Sequence, residues 1–146
     1  MGPGFNRESL PFAAKFFRQL SVDADDALAV AKRHFNRPRP FAVDHEIESL
    51  VGEPSTPSYP GGHATFAYVN AIVLSYIVPE KADAIFDRAR KYAYNRVIVG
   101  VHYPSDQEAG LISAAVIANT LLHQPKFQAD LSRARAEVRQ AIGLRP

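Results

Sequence analysis

The sequence contains no cysteine, no tryptophan and a single methionine, and its formal net charge is only +2. Without cysteine, a disulfide framework, a thiolate zinc site, an iron–sulfur cluster and a cysteine nucleophile are excluded. Its 47% hydrophobic and 22% charged residues are ordinary for a folded protein, which argues against disorder. At 146 residues, the chain has the length of one domain with a single core, so we expect one domain over residues 1–146.

Long hydrophobic runs are also missing. The longest apolar stretch, residues 64–79, is interrupted by three polar residues and is shorter than the roughly 20 residues that cross a bilayer. Lys15 breaks the apolar segment 12–17, so no secretory leader is visible. We therefore expect no membrane span, while the phenylalanines 12, 16 and 17 are compatible with the apolar face of a homodimer.

Apolar residues recur with the helical period throughout the chain, and no segment alternates as strands do. This pattern predicts an all-α bundle of about five to six helices. Expected helices cover residues 9–20, 23–35, 63–78, 81–99, 105–123 and 126–142, with one helical turn near 46–51. The segment 63–78 is apolar on nearly all sides, which predicts a buried central helix.

Two helix boundaries and one misfit stand out in this pattern. Pro38 and Pro40 end the second helix and stiffen the arginines between and before them. Ser105, followed three residues later by Glu108, matches a capping box that would open a helix. Arg96 falls on the inward stripe of its predicted helix, where a structural role alone does not explain a cation.

Cations, glycines and imidazoles form three separated groups that fit the needs of a phosphate. A tetrahedral oxyanion requires several fixed positive donors, and helix N-termini add unpaired backbone N–H groups. Consecutive glycines allow the backbone to approach such an anion closely. The groups are Lys32 with Arg39, Gly61-Gly62-His63, and Arg96 with His102 and Asp106.

The spacing of His102 and Asp106 suits a histidine nucleophile or base. Four residues separate them at a helix start, so the carboxylate can reach one ring nitrogen and leave the other free. His63 can then serve as the general acid toward a leaving oxygen, because an imidazole titrates near pH 6.5.

These residues resemble the signature of the type-2 phosphatidic acid phosphatase superfamily, which includes bacterial class A nonspecific acid phosphatases and vanadium haloperoxidases. Segments 32–41 (KRHFNRPRPF), 58–64 (SYPGGHA) and 100–110 (GVHYPSDQEAG) are most similar to the soluble bacterial acid phosphatases. The motif core spans residues 32–106, and its nine matched positions are Lys32, Arg39, Pro40, Pro60, Gly62, His63, Arg96, His102 and Asp106.

The resemblance implies a helical bundle that hydrolyses phosphomonoesters without a metal, through a phosphohistidine on His102. Asp106 would orient the nucleophile, and His63 would protonate the leaving oxygen. The phosphate-binding set would be Lys32, Arg39, Gly61, Gly62 and Arg96. No cofactor is implied, vanadate is expected as an inhibitor, and the partner is a small phosphomonoester or inorganic phosphate.

The chain departs from the family pattern in two respects that matter. The family usually has a serine where this chain has Gly61, so one hydroxyl donor to phosphate is missing. Soluble members are generally longer at the N-terminus, so we expect a shortened chain. A periplasmic or secreted location follows from the resemblance only if a leader has been removed.

Several alternative functions would use some or all of these residues. A haloperoxidase would use the same pocket with vanadate as cofactor and His102 as its ligand, and a phosphate-binding module weakened by Gly61 would bind without turnover. A nucleic-acid binder rests on the pI near 9.0 alone, so we expect no nucleic-acid partner. Metal binding by the two histidines and Asp106 is disfavoured by the surrounding cations. Taken singly, each residue also has an ordinary structural explanation, such as a solvated Lys32 or a structural His102–Asp106 pair.

Overall fold

A computed structural model describes residue 2 and residues 4–145, and in these parts of the chain all regular structure is helical. The elements are α1 (Pro11–Phe35), a short α2 (Pro40–Val43), α3 (Gly62–Ile77), a 3₁₀ turn (Pro79–Lys81), α4 (Ala82–Ile98), α5 (Pro104–Leu122) and α6 (Pro125–Ala141). The predicted all-α bundle is confirmed. None of its described helices is both long and apolar enough to cross a bilayer.

α1 is one continuous helix, so the prediction of two helices separated near residue 22 is wrong. Its buried residues repeat every three or four positions without interruption, and they are Ala13, Phe16, Leu20, Ala24 and Leu28. Ser21 does not cap a new helix; its hydroxyl donates to Phe17 O at 2.8 Å within the same one. The helix ends at Asn36, which adopts a left-handed conformation with φ of 43°.

α3 is the central helix of the bundle, as its apolar sequence predicts, and it packs against α1, α4, α5 and α6. Two glycines allow α5 to approach α3 closely. A Cβ on Gly110 would lie 2.5 Å from Ala64 Cβ, and a Cβ on Gly61 would lie 2.8 Å from Asp106 O. The N-termini of α3 and α5 are therefore held side by side.

The segment before α5 is organised differently from its prediction. The helix begins at Pro104 with Tyr103 as N-cap, and Asp106 Oδ2 accepts the Tyr103 backbone N–H at 2.9 Å. Ser105 and Glu108 therefore do not form the expected capping box. Capping by Asp106 fixes the orientation of its carboxylate at the start of α5.

The loop between α1 and α3 contains no helical turn at 46–51; its helical residues lie earlier, in α2. Pro40 fits the first turn of α2 because that position needs no N–H donor. A backbone bond from Leu50 N to Val99 O fastens the loop to the end of α4, and one from Ser58 N to Arg37 O joins the two ends of the loop. The loop thus carries residues 56–60 to the N-terminus of α3.

The three N-terminal phenylalanines pack within the chain. Phe16 is buried in the main core, and Phe12 and Phe17 pack against that core. The ring of Phe12 also lies 4.1 Å beneath the Arg133 guanidinium. These rings therefore contribute to the protein's own interior, and the homodimer remains a prediction.

Candidate active site

His102 and Asp106 form a buried pair at the start of α5. His102 Nδ1 lies 2.9 Å from Asp106 Oδ2, and the two residues are 4% and 0% exposed. Since Asp106 caps α5 through the same oxygen, the helix start fixes the carboxylate and the carboxylate fixes the imidazole. The spacing of four residues predicted this contact.

Ser58 and Arg37 complete the surroundings of Asp106, and the sequence analysis assigned neither to it. The Ser58 hydroxyl donates to Asp106 Oδ2 at 2.5 Å, and Arg37 Nη1 donates to Asp106 Oδ1 at 2.9 Å. Arg37 also lies 3.9 Å over the Tyr103 ring and donates to Ser105 Oγ. Both carboxylate oxygens of this buried aspartate are therefore satisfied.

Arg39 occupies the other side of the imidazole. Its Nη1 lies 3.1 Å from His102 Nε2 and also donates to Val101 O at 2.8 Å. Its Nε donates to Thr56 O at 2.9 Å, so the guanidinium lies between His102 and the loop. It does not pair with Asp44 or Glu46, as a purely structural loop arginine would.

Lys32 lies in the last turn of α1, and its side chain reaches the same loop. Its Nζ donates to Pro57 O at 2.6 Å and to Ser58 O at 3.4 Å, which uses two of the three ammonium donors. Burial, reinforced by the charge of Arg39, lowers the pKa of Lys32 to about 8.

His63 stands in the first turn of α3, at a cavity of about 450 Å³. The cavity wall also includes Lys32, Thr56, Gly62, Phe66 and Tyr92. The His63 ring stacks on the Tyr92 ring with 5.8 Å between centroids. Burial, followed by the charges of Arg96, His102, Arg39 and Lys32, lowers the pKa of His63 to about 4.

The pKa values of the buried pair follow from the same environment. Burial and Arg39 lower the pKa of His102, and they outweigh the opposing effect of Asp106. Burial alone would raise the pKa of Asp106, but hydrogen bonds from His102, Ser58 and the Tyr103 N–H reverse this and lower it. The pair is therefore a neutral imidazole beside a carboxylate.

Arg96 and Gln107 carry buried polar atoms for which the described residues provide no partner. These atoms are Arg96 Nε and both amide atoms of Gln107. Arg96 is near enough to the site to lower the pKa of both His63 and Arg39 by its charge. It thus belongs to the same cluster, which explains why a cation lies on the inward stripe of α4.

The two predicted glycines lie at the N-terminus of α3. Gly61 is the N-cap of α3 and donates its N–H to Asp106 O at 2.9 Å, so this N–H already has a protein acceptor. Gly62 begins the helix, and a Cβ added there would meet only side-chain atoms of Leu28 and Lys32, both at 3.7 Å.

All eight predicted site residues therefore lie around the adjoining N-termini of α3 and α5. The site residues to which sequence reasoning gave no role are Ser58, Thr56, Tyr92 and Gln107, and the contact of Arg37 with Asp106 was not predicted. Ser58 and Gln107 lie within segments 58–64 and 100–110, which carry the family resemblance, but sequence reasoning assigned no role to either residue. Among the described residues, no group of three or more histidine, aspartate or glutamate side chains is placed to hold a metal ion.

Comparison with known proteins finds relatives of this chain among bacterial acid phosphatases. Non-specific acid phosphatase of Providencia stuartii is 34% identical over 146 aligned residues, which cover 93% of this chain and 57% of that protein. Acid phosphatase of Zymomonas mobilis is 30% identical over 144 residues, covering 96% of this chain and 54% of that protein. Non-specific acid phosphatase of Salmonella typhi is 34% identical over 116 residues, covering 77% and 46%.

The chain thus spans about half the length of these relatives. Residues 20–130, which include every predicted site residue, match the PAP2 superfamily. This agrees with the resemblance of the three motifs, and this chain belongs to the PAP2 superfamily.

Proposed function

We propose that this protein hydrolyses small phosphomonoesters as an acid phosphatase, without a metal, through a phosphohistidine on His102. The observation that carries the proposal is the surroundings of His102. One ring nitrogen contacts a buried carboxylate, and the other faces an arginine within a cluster of cations. The similarity to acid phosphatases over nearly the whole chain supports the same activity.

The phosphate-binding set combines the charges of three cations with N–H groups that have no acceptor in the described part of the protein. Lys32 donates to Pro57 O and Ser58 O and keeps one further N–H, whereas all five N–H groups of Arg39 have protein acceptors, so Arg39 contributes its charge. Arg96 adds a buried Nε–H, and Gly62 adds a backbone N–H at the positive end of α3. These donors would hold the nonbridging oxygens through a loose transition state, in which positioning and electrostatics supply most of the catalysis.

The first chemical step forms an N–P bond and breaks the P–O ester bond. The Arg39 N–H leaves Nε2 for a phosphate oxygen, His102 Nε2 attacks phosphorus in line, and its Nδ1–H stays hydrogen-bonded to Asp106, which stabilises the charge that develops on the ring. The leaving oxygen takes a proton from His63, a role supported by the position of His63 in the first turn of α3, where it lines the cavity with Lys32 and Gly62.

The second step regenerates the enzyme. Water attacks phosphorus, His63 accepts a proton from that water, and the N–P bond breaks to release inorganic phosphate and neutral His102. His63 thus holds the proton from the water when phosphate is formed, and because the pKa of unliganded His63 is about 4, its acid form before the next turnover is favoured at low pH. No oxidant, reductant or metal ion enters the balance.

Hydrolysis of an aryl phosphomonoester between about pH 4 and pH 9, with a chelator present, tests this function. We expect turnover that vanadate inhibits and that His102→Ala abolishes, whereas His123→Ala, a histidine exposed at the end of α5, is the matched control. Turnover that requires a metal, or that survives in His102→Ala, would contradict the proposal. Halide oxidation after addition of vanadate and peroxide would instead identify a haloperoxidase.

A further inference from the structure

Gln107 has a buried side-chain amide that the described protein leaves without a partner. The residue is 9% exposed, and both Nε2 and Oε1 are shielded from solvent. A buried amide without hydrogen bonds is costly, so such a group in a folded protein calls for an explanation. None of the roles proposed for the other site residues involves the Gln107 amide.

The amide lies at the N-terminus of α3. Nε2 of Gln107 is 3.3 Å from the point that a Cβ on Gly61 would occupy, and Gly61 is the N-cap of that helix. The N-cap provides no side-chain hydrogen bond to the helix, and the first backbone bond in the described helix runs from Thr65 N to Gly61 O. The N–H groups of residues 62–64 therefore lack helical acceptors.

Three kinds of donor in this region have no acceptor among the described residues. They are the first N–H groups of α3, the Nε2 of Gln107 and the buried Nε of Arg96. Donors gathered at the positive end of a helix match an anion, and a phosphate oxygen can accept from each of them.

The position that Gln107 faces is where the family signature carries serine. In this fold, a serine Cβ at residue 61 would lie 2.8 Å from the backbone oxygen of Asp106, a contact that real Cβ atoms do not make. The glycine instead lets α5 approach α3 and brings the Gln107 amide against the same N-terminus.

We propose that Gln107 is a further phosphate-binding residue, whose Nε2–H₂ donates to a nonbridging phosphoryl oxygen in place of the missing serine hydroxyl. This inference rests on the proposed phosphatase site. The Gln107 amide thereby compensates for the serine hydroxyl that Gly61 lacks.

Binding of inorganic phosphate and of vanadate, measured by calorimetry and by inhibition, tests the role of Gln107 apart from turnover. We expect Gln107→Leu to weaken both by roughly 10- to 100-fold, as loss of a hydrogen bond to a charged partner does. Its melting temperature without ligand should stay the same or rise, because an unpaired buried amide is removed. Gln140→Leu, an exposed position on α6, is the matched control and should bind as the wild type does.

A second variant keeps the test decisive if Gln107→Leu does not fold. Gln107→Glu preserves the shape but adds a carboxylate, so phosphate binding should be lost at neutral pH and recover as the pH falls. Tight phosphate binding by either variant at neutral pH, with wild-type turnover intact, would overturn the role of Gln107 alone. If the wild type itself neither binds phosphate nor hydrolyses phosphomonoesters, the proposed function fails and this inference fails with it.

Discussion

Arg39 Nη1 and His102 Nε2 lie 3.1 Å apart, and this contact assigns the proton on the imidazole. A guanidinium can only donate, so Nε2 must accept and carry its lone pair toward the cations. The proton is then on Nδ1, which donates to Asp106 at 2.9 Å. His102 is therefore held in the tautomer that a nucleophile attacking through Nε2 requires.

The Asp106 carboxylate can be tested by Asp106→Asn. The amide keeps the shape but loses the charge that stabilises the imidazolium and the acceptor that fixes the tautomer. We expect kcat to fall by at least about 10- to 100-fold with a smaller change in KM, since each lost bond to a charged partner is worth roughly 1.5–3 kcal/mol. Steady-state kinetics measure this split, and an unchanged kcat would contradict the role of Asp106.

Ser58 is expected to affect stability and the pKa of Asp106 through its hydrogen bond to the Asp106 carboxylate. Ser58→Ala removes the 2.5 Å hydrogen bond to Asp106 Oδ2 but leaves the bonds from His102 and the Tyr103 N–H. We therefore expect unfolding to cost about 1–3 kcal/mol less, and the pKa of Asp106 to rise toward its usual value. Urea unfolding and carboxyl titration by NMR check both, with exposed Ser55→Ala as the control.

The pKa of His63 should depend on the anion. Without ligand it lies at about 4, because burial and the neighbouring cations disfavour the imidazolium. Phosphate or vanadate would neutralise part of that positive charge, so the pKa of His63 should rise when either binds. NMR titration of the imidazole resonances, with and without vanadate, measures this shift, and a value unmoved by vanadate would place the anion elsewhere.

Stability should change with pH in a direction set by the two histidines. Both have lowered pKa values in the folded state, so the unfolded chain binds more protons below about pH 6.5. The free energy of unfolding should therefore decrease as the pH falls from about 7 toward 4, and phosphate should oppose the loss. Thermal melts across this range test it, and His63→Asn should flatten the dependence.

Residue 61 should tolerate no side chain, although a serine there would match the family pattern. Gly61→Ala places a Cβ 2.8 Å from Asp106 O, so we expect it to lower stability by about 1–3 kcal/mol. Gly62→Ala is the matched control for stability, because its Cβ would make ordinary contacts at 3.7 Å and alanine favours the helix. Equal melting temperatures for the two variants would contradict the close approach of α3 and α5.

Much of the fold follows from local pattern, and the failures have local causes. The apolar run 63–78 identified the central helix because a helix buried on all sides needs no polar face. The break expected near Ser21 did not occur, because Ser21 bonds back to Phe17 O and the buried stripe of α1 continues. The cap of α5 was predicted at Ser105 with Glu108. Tyr103 is the N-cap instead, and Asp106, three residues later, accepts its backbone N–H.

For the candidate site, spacing predicted contacts within one element better than contacts across elements. His102 and Asp106 are four residues apart, so a helix start brings them together. Ser58 reaches Asp106 across 48 positions, and Gln107 reaches Gly61 only because two glycines let the helices approach. Such long-range contacts depend on how the elements pack, which periodicity does not specify.

The most direct test of a histidine nucleophile is to trap the covalent intermediate. The protein is mixed with a ³²P-labelled phosphomonoester, quenched in alkali and digested. We predict acid-labile, alkali-stable label on the peptide that contains His102, and none in His102→Ala. Label on His63, or turnover without labelled protein in a quench faster than the turnover time, would contradict the account.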